Sequence, residues 1–186
     1  MAKPLIVILT GAGMSEESGL STFRGADGLW EGHDIIEVAS PEGWQANPQL
    51  VNTFYNARRK QLFEVKPNDG HKALAQLENE FEVQIITQNV DDLHERAGSQ
   101  NILHLHGELR KVRNQRGDGI RPWDNDLDLS NLGEDGLPLR PHIVWFGEDV
   151  PAIPTAIEWT RKADYFVVIG TSLQVYPAAN LIYYTA

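Results

Sequence analysis

Cysteine is absent from this sequence of 186 residues. Its absence excludes disulfide bonds, a thiol nucleophile and any zinc site built on thiolate ligands. The compartment is little constrained by this, although a cytoplasmic protein is the expectation that fits. Long apolar runs are absent too, since no stretch approaches the ~20 residues that a membrane-spanning helix needs. We therefore expect no membrane partner.

Basic charge is scarce: 16 lysines and arginines face 26 acidic residues, for a formal net charge of −10. Nucleic-acid binding draws on a basic face, so no nucleic-acid partner is expected. An acidic surface suits basic peptide partners, although ordinary solubility explains the same charge. Hydrophobic residues make up 41% and charged residues 23%, which is typical of a soluble globular protein.

Apolar runs that end in glycine predict the sheet. LIVILT (5–10) and YFVVIG (165–170) are typical of strands buried on both faces, and the first favours a strand over a signal peptide because it enters a glycine loop. Residues 81–90 predict a further strand. Apolar spacing predicts helices over 47–65, 70–80, 91–97, 153–162 and from 177 onward. This alternation predicts an α/β, Rossmann-like doubly wound parallel sheet in one domain spanning 1–186.

A second module interrupts that pattern. Residues 110–141 are rich in Gly, Asn, Asp and Arg and predict a small irregular, loop-rich insert. The helical segment 47–80 is expected to form part of the same small module. HIVWF (142–146) predicts a strand or strand edge.

Glycine-containing or polar segments lie at the ends of the three predicted strands, where open α/β sheets bind ligands. Gly11-Ala12-Gly13 lets backbone N–H groups approach a pyrophosphate, but its G-x-G-x5-G spacing also suits a plain strand–helix turn. The segment from Thr87 to Asp91 offers donors and acceptors for ribose hydroxyls or a carboxamide, with a helix N-cap by Asp91 as the alternative. Gly170-Thr171-Ser172 suits a ribose or phosphate, or a simple turn.

Two further segments have open interpretations. His104 and His106 share one face of a strand, so they suit half a metal site, a structural role or a general base. The apolar strand that ends at Gly147-Glu148 suits pairing with an extended peptide, or a core strand with an aromatic plug.

Together and in order, five segments resemble the sirtuin family. They are GAGMSEESGLSTFRG (11–25), TQNVDDLHERAG (87–98), HLHG (104–107), RPHIVWFGE (140–148) and GTSLQVYPA (170–178). The resemblance implies an NAD-dependent protein-lysine deacylase acting on acyl-lysine proteins or peptides. In that chemistry the acyl oxygen attacks the nicotinamide ribose, nicotinamide leaves, and O-acyl-ADP-ribose and free lysine are the products.

The resemblance also implies residue roles. His106 is the expected catalytic base, with Asn89 and Asp91 as catalytic partners. The expected NAD contacts are Gly11, Ala12, Gly13, Ser15, Phe23, Arg24, Trp30, Gln88, Asn89, Asp91, Gly170, Thr171 and Ser172. The expected substrate-backbone contacts are Val144, Trp145, Phe146, Gly147 and Glu148.

A finer likeness concerns the acyl group. Phe54-Tyr55-Asn56-Ala57-Arg58-Arg59 resembles the variant in sirtuins that remove succinyl or malonyl groups, and Trp30 fits the same subgroup. Tyr55 and Arg58 are three residues apart, so they share a helix face and can bind a carboxylate together. The alternative is an amphipathic helix with Tyr55 in the core and Arg58 in solvent.

Two departures from the family stand out. Its zinc cysteines are missing: Asn114 and Gly117 stand where the first pair belongs, and Ser130–Asp135 cover the second, so no zinc is expected. The family also continues past the last residues of this sequence with strands that help to hold the adenine. These departures keep two alternatives open, a non-catalytic sensor of NAD or ADP-ribose and an NADase-like hydrolase.

Overall fold

The computed structural model describes residues 3–21, 29–30 and 32–185. The chain divides into two compact units. The first consists of Met1–Thr22, Val65–His106 and Val150–Ala186, and the second of Phe23–Glu64 and Gly107–Asp149. No helix of the described residues is long and apolar enough to cross a bilayer.

A parallel sheet of four strands forms the centre of the first unit. The strands are β1 (Leu5–Thr10), β4 (Glu82–Thr87), β5 (Ile102–His104) and β9 (Tyr165–Ile169), in the spatial order β5-β4-β1-β9. All three pairings are parallel. The predicted α/β class and parallel sheet are therefore confirmed, and the strands predicted at 5–10 and 165–170 are observed within one residue.

Side chains of β1 alternate between two cores, because successive residues of a strand point to opposite faces. Ile6 and Ile8 pack on one face with Leu74 of α4 (Asp69–Leu77). Val7 and Leu9 pack on the other face with residues of α6 (Ile153–Lys162) and of the 3₁₀ segment Ala178–Tyr184. Cores on both faces explain why the strand is a continuous apolar run.

The connections of the first unit place polar residues at the carboxyl edge of the sheet. Short 3₁₀ turns at Ala12–Met14 and Glu16–Ser18 follow β1. The helix α5 (Leu93–Ala97) follows β4 and ends at Gly98, whose φ of +106° lies in the left-handed region that favours glycine.

The second unit combines helices with a small antiparallel sheet. Its long helix α3 (Pro48–Glu64) agrees within one residue at each end with the helix predicted over 47–65. It also contains the hairpin β2 (Leu29–Trp30) and β3 (His33–Asp34), and the short helices α1 (Ile35–Val38) and α2 (Pro41–Ala46). The sheet has the order β7-β6-β8, with β6 (Gly107–Arg113), β7 (Arg121–Pro122) and β8 (Arg140–Ile143).

The segment expected to be loop-rich, 110–141, thus contributes to all three strands of that sheet. Only three of its apolar side chains, Val112, Leu127 and Leu139, form the buried core beside Trp123. So sparse an apolar set gives little periodicity from which to predict strands. The strand predicted at 142–146 is displaced: β8 ends at Ile143, and 144–148 form a turn.

Candidate functional site

Two glycine-containing turns interlock at the carboxyl edge of the parallel sheet. The N–H of Gly13 donates to the carbonyl of Gly170 (2.8 Å), and the N–H of Gly11 donates to that of Ile169 (3.1 Å). A Cβ added to Gly11 would lie 2.7 Å from the Thr171 Cβ, and one added to Gly170 (φ +63°) would lie 2.3 Å from the Met14 nitrogen. Glycine is therefore required here by the contact between the two turns, and the contact exposes Gly13, Gly170 and Ser172 along one edge.

The segment after β4 forms a polar network with the first glycine turn. The Asn89 amide donates to Ser15 Oγ (3.0 Å), and Ser15 Oγ donates to Asp91 Oδ2 (2.8 Å). The Gln88 amide donates to Thr171 Oγ1 (3.1 Å), which joins the second turn to the same network. Most of the NAD contacts expected in the first unit are thus brought together.

Asp91 has two structural partners already. Its Oδ1 accepts from the N–H of Leu93, the first residue of α5, but the N-cap residue of that helix is Asp92, so the capping alternative for Asp91 is wrong by one position. Burial raises the pKa of the Asp91 carboxyl, and the hydrogen bonds from Leu93 and Ser15 oppose that rise. Since each carboxylate oxygen has two lone pairs, the group keeps acceptor capacity for a ligand.

A hydrogen bond made by its imidazole ring fixes the orientation of His106. Its Nδ1 lies 3.0 Å from the carbonyl oxygen of Gln88, and a carbonyl can only accept, so Nδ1 carries the proton. In the neutral ring Nε2 is then the unprotonated nitrogen. Burial lowers the pKa of His106, and the bond to Gln88 opposes this only in part, so the ring is neutral at pH 7. A neutral imidazole with a fixed tautomer suits a general base.

His104 also bonds a backbone carbonyl through Nδ1, that of Asn89. Its Nδ1 lies 3.1 Å from the Asn89 oxygen, and its Nε2 lies 2.7 Å from Glu95 Oε1. Both partners are acceptors, so a ring that carries both protons satisfies both contacts. The ring holds the backbone carbonyl of Asn89, a structural role that the sequence left open.

Two buried histidines beneath this network were not predicted. The His71 and His94 rings pack edge to face with centroids 4.9 Å apart, and burial lowers the pKa of each to about 4. His94 Nε2 lies 3.1 Å from Thr10 Oγ1, and His71 Nε2 lies 3.5 Å from Ser15 Oγ. Apolar periodicity ignores histidine, so the only available signal was its position in two helices next to polar segments.

In the second unit, Tyr55 and Arg58 flank one aromatic ring. The Arg58 guanidinium lies 5.5 Å from the centroid of Phe54, and the Tyr55 and Phe54 centroids are 5.2 Å apart. Trp30 packs edge to face on both Phe54 (4.9 Å) and Tyr55 (6.2 Å). Tyr55 is fully buried, as the structural alternative expected, whereas Arg58 is half-buried. Phe23 and Arg24 lie outside the described residues.

Arg59, the neighbour of Arg58, is an internal structural residue. It is 2% exposed, its Nε donates to the Leu109 carbonyl (2.8 Å), and its Nη1 donates to the Asn56 amide oxygen (2.9 Å). The Asn56 side chain in turn bonds both backbone groups of Leu127 (2.8 and 2.9 Å). These contacts tie the 125–127 segment to α3.

The 144–148 turn is held by a charged cluster. Glu148 accepts from Arg140 Nη1 (2.7 Å), from Arg113 Nη2 (3.1 Å) and from the Trp145 N–H (2.8 Å). These partners keep the pKa of the Glu148 carboxyl below its ordinary value although burial opposes this. The Phe146 N–H donates to the Ala39 carbonyl (2.9 Å), and the Phe146 side chain and Gly147 are exposed. The Glu148 side chain, bonded to the Trp145 backbone, therefore stabilises the turn, and Val144, Phe146 and Gly147 form its outer part.

The residues in place of the zinc cysteines do not fit zinc. Asn114 is 3% exposed, and its amide nitrogen donates to Asp118 Oδ1 (2.8 Å). A Cβ on Gly119 would lie 2.5 Å from the Asn114 Nδ2, and a Cβ on Gly133 would lie 2.4 Å from its Oδ1. The amide thus fills the space between the two segments where the thiolates would stand, and the chain has no cysteine to supply a thiolate ligand.

Comparisons with known proteins identify the family that this chain resembles. The Sir2 family model matches residues 11–177. Proteins named NAD-dependent protein deacylase are 63% identical in Helicobacter pylori (strain ATCC 700392 / 26695), covering 95% of this chain and 77% of that protein, and 58% identical in Bacteroides thetaiotaomicron, covering 96% and 80%.

Solved structures show the same likeness. A Sir2 homologue in complex with NAD superposes with a TM-score of 0.89 at 42% identity, covering 98% of this chain and 73% of that one. Sir2Tm bound to a propionylated peptide gives a TM-score of 0.82 at 31% identity, covering 98% and 77%. The shared fold, the family segments in the same order and the sequence identity over nearly the whole chain show that the chain belongs to the Sir2, or sirtuin, family.

Proposed function

We propose that this chain is an NAD-dependent protein-lysine deacylase that removes succinyl and malonyl groups as well as acetyl groups. The observation that carries the proposal is the geometry of His106, a neutral imidazole whose Nδ1 proton is committed to the Gln88 carbonyl. Its Nε2 can therefore take a proton. The similar proteins from Helicobacter pylori and Bacteroides thetaiotaomicron, both named NAD-dependent protein deacylase, support the same activity.

NAD suits the network at the carboxyl edge of the parallel sheet. When bound, it supplies the ribose carbon that accepts the acyl oxygen and a hydroxyl whose proton His106 takes at Nε2. The backbones of Gly11–Gly13 and Gly170–Ser172 would hold the phosphates, and Gln88 would line the ribose pocket. Asn89 would orient ribose or water, and Asp91 would hold the carboxamide through its remaining lone pairs. Ser15 fixes both Asn89 and Asp91, and Phe23, Arg24 and Trp30 belong to the same proposed set.

A carboxylate-bearing acyl group suits the Tyr55 and Arg58 pair. Arg58 supplies a positive charge and Tyr55 a phenolic donor, and both border Phe54, against which the methylene carbons of a succinyl chain can pack. An acetyl group offers neither side chain an acceptor of that kind. The outer part of the 144–148 turn is proposed to pair with the peptide backbone.

One assay separates this function from its alternatives. Nicotinamide release from NAD is measured with and without a succinyl-lysine peptide. We expect release that depends on the peptide and yields free lysine. Release without peptide would indicate an NADase, and no release would indicate a sensor.

Removal of the base should nearly abolish turnover. We expect His106→Tyr to lower kcat by roughly 10²–10⁴-fold, the usual contribution of general-base catalysis, with the circular dichroism spectrum unchanged. Turnover at the parent rate in this variant would rule out His106 as the base.

The acyl preference is tested by the double variant Tyr55→Phe/Arg58→Met. We expect kcat/KM for a succinyl-lysine peptide to fall by roughly 10²-fold or more, because charge-assisted hydrogen bonds of about 1.5–3 kcal/mol are lost. The acetyl-lysine form of the same peptide should lose far less. Equal losses on both peptides would contradict a carboxylate pocket.

A further inference from the structure

Tyr55 has an unusual hydrogen-bond partner for a residue meant to recognise a carboxylate. Its phenolic oxygen lies 3.1 Å from the indole Nε1 of Trp145, and both side chains are buried, at 0% and 2% exposure. An indole N–H can only donate. The phenolic oxygen is therefore the acceptor in this pair, and no acceptor for the phenolic proton is found among the hydrogen bonds of the described residues.

This arrangement makes Tyr55 a donor toward its ligand. Burial raises the pKa of the Tyr55 phenol above its ordinary value, so the hydroxyl stays protonated at every working pH. A hydroxyl that accepts one hydrogen bond donates a stronger one, because the two bonds polarise each other in a low-dielectric site. Such a hydroxyl forms its strongest hydrogen bond with an ionised acceptor such as a carboxylate.

Trp145 is itself held from three sides. The Arg140 guanidinium stacks on the indole at 3.3 Å from its centroid, and Glu148 Oε2 accepts from the backbone N–H of Trp145 at 2.8 Å. Arg140 also binds Glu148 directly, which closes the cluster. The Trp44 ring packs against the indole with centroids 5.8 Å apart. Arg140 and Trp44 thus hold the indole ring while Glu148 holds its backbone, so the direction of the indole N–H is set at little further cost in side-chain entropy.

We infer that Trp145 is a positioning residue for acyl selectivity: its indole N–H orients the Tyr55 hydroxyl so that the phenolic proton points to the distal carboxylate of the acyl group. This inference rests on the proposed removal of acidic acyl groups. It gives Trp145 a role through Tyr55 rather than through contact with the peptide. The Arg113, Arg140 and Glu148 cluster then supports selectivity indirectly, by holding the indole.

The test compares kcat/KM for succinyl- and acetyl-lysine forms of one peptide. Trp145→Phe keeps an aromatic ring but removes the N–H. We expect its succinyl-to-acetyl ratio to fall by roughly three- to tenfold, in line with one net hydrogen bond of about 0.5–1.5 kcal/mol, and the loss to reside in the KM of the succinyl peptide. Because both substrates are measured on the same preparation, the fraction of folded enzyme cancels from the ratio.

Trp44→Phe is the matched control. It makes the same change in a ring that touches Trp145 but has no contact with the Tyr55 hydroxyl among the bonds of the described residues. We expect its succinyl-to-acetyl ratio to equal that of the parent. A fall as large as that of Trp145→Phe would overturn the inference in favour of general packing.

Tyr55→Phe completes a double-mutant cycle. If Trp145 acts through the hydroxyl, Trp145→Phe has no further effect on the ratio once that hydroxyl is gone. Independent, multiplying effects would overturn the role of Trp145 while leaving the carboxylate pocket in place. An unchanged ratio in Tyr55→Phe alone would overturn the pocket, and the role of Trp145 with it.

A further measurement leaves Trp145 unchanged, so it tests the inference even if Trp145→Phe does not fold. The indole N–H resonance that shifts in Tyr55→Phe identifies Trp145 in a ¹⁵N-tryptophan spectrum of the parent protein. We expect the succinyl-lysine peptide to move this resonance and the acetyl-lysine peptide to leave it within one linewidth. Equal shifts with both peptides would overturn the inference.

Discussion

The histidines at 104 and 106 both bind a backbone carbonyl through Nδ1, yet their surroundings differ. Burial lowers the pKa of His106, so its ring stays neutral, while His104 has a second acceptor, Glu95, at Nε2. Burial and the partner of Nε2 together separate a proton acceptor from a structural residue two positions away.

The pH dependence of turnover should report the neutral state of His106. Since burial lowers its pKa below the ordinary imidazole value of about 6.5, the base stays unprotonated to lower pH. We expect the acid limb of kcat/KM, measured with a succinyl-lysine peptide, to have its midpoint below pH 6.5. A midpoint above pH 7 would contradict the assigned environment of His106.

Adjacent arginines show a similar division at the residue scale. Arg59 bonds backbone carbonyls inside the second unit, and Arg58 lies over the Phe54 ring. The i, i+3 spacing from Tyr55 selected Arg58 from the sequence, because residues three apart share a helix face. Spacing alone gave no indication that Arg59 would be more deeply buried than Arg58.

At the scale of elements, the small antiparallel sheet holds its connecting segments without metal ligands. Asn114 fills the space between Gly119 and Gly133, Gln115 Nε2 donates to the Pro138 carbonyl (2.6 Å), and Leu132 forms a bridge with Pro138. Buried hydrogen bonds take the place that metal–thiolate bonds have in the zinc-bearing members of the family.

Stability of this sheet should therefore depend on Asn114 and not on zinc. We expect EDTA to leave Tm unchanged and metal analysis to find no stoichiometric zinc, because a chelator destabilises only a protein whose fold includes a bound metal. Asn114→Ala should cost about 1–3 kcal/mol of unfolding free energy, because it removes a buried hydrogen bond and leaves a void.

The exposed Asn79 in the first unit provides the control, and Asn79→Ala should cost less than about 0.5 kcal/mol. A lower Tm in EDTA, or equal effects of the two alanine variants, would count against this account.

At the scale of the whole molecule, buried neutral histidines couple folding to pH. Burial lowers the pKa of His71 and His94 in the first unit, and of His142 in the second, to about 4. Between their unfolded value of about 6.5 and pH 4 the unfolded chain binds more protons at these sites. Stability contributed by these groups is complete above pH 6.5 and is lost as the pH falls toward 4. Asp91, whose pKa is raised, opposes this trend.

We expect the unfolding free energy from urea titrations to fall from pH 7 to pH 4.5, by at most about 1.4 kcal/mol per pH unit for each histidine. His94→Gln should flatten the dependence, because it removes one of the coupled groups. A profile that is flat in the parent, or equally steep in the variant, would contradict the prediction.

The family, the parallel sheet and the position of most polar residues at its carboxyl edge could all be predicted from local sequence patterns. Each of these depends on a local pattern: β1 is an apolar run, Gly11 and Gly170 follow strands, and His106 follows β5. Local patterns suffice where side-chain alternation and turn geometry act over a few residues.

Which polar atoms already have a hydrogen-bond partner could be learned only from the tertiary structure. The sequence contained Trp145 and Tyr55 but not the bond between them across 90 residues, which makes one a donor and the other an acceptor. It contained four histidines near polar segments but not their protonation, which follows from burial and from carbonyl or carboxylate partners distant in the chain. Hydrogen-bond direction and desolvation depend on the three-dimensional surroundings of a group, and no local pattern records them.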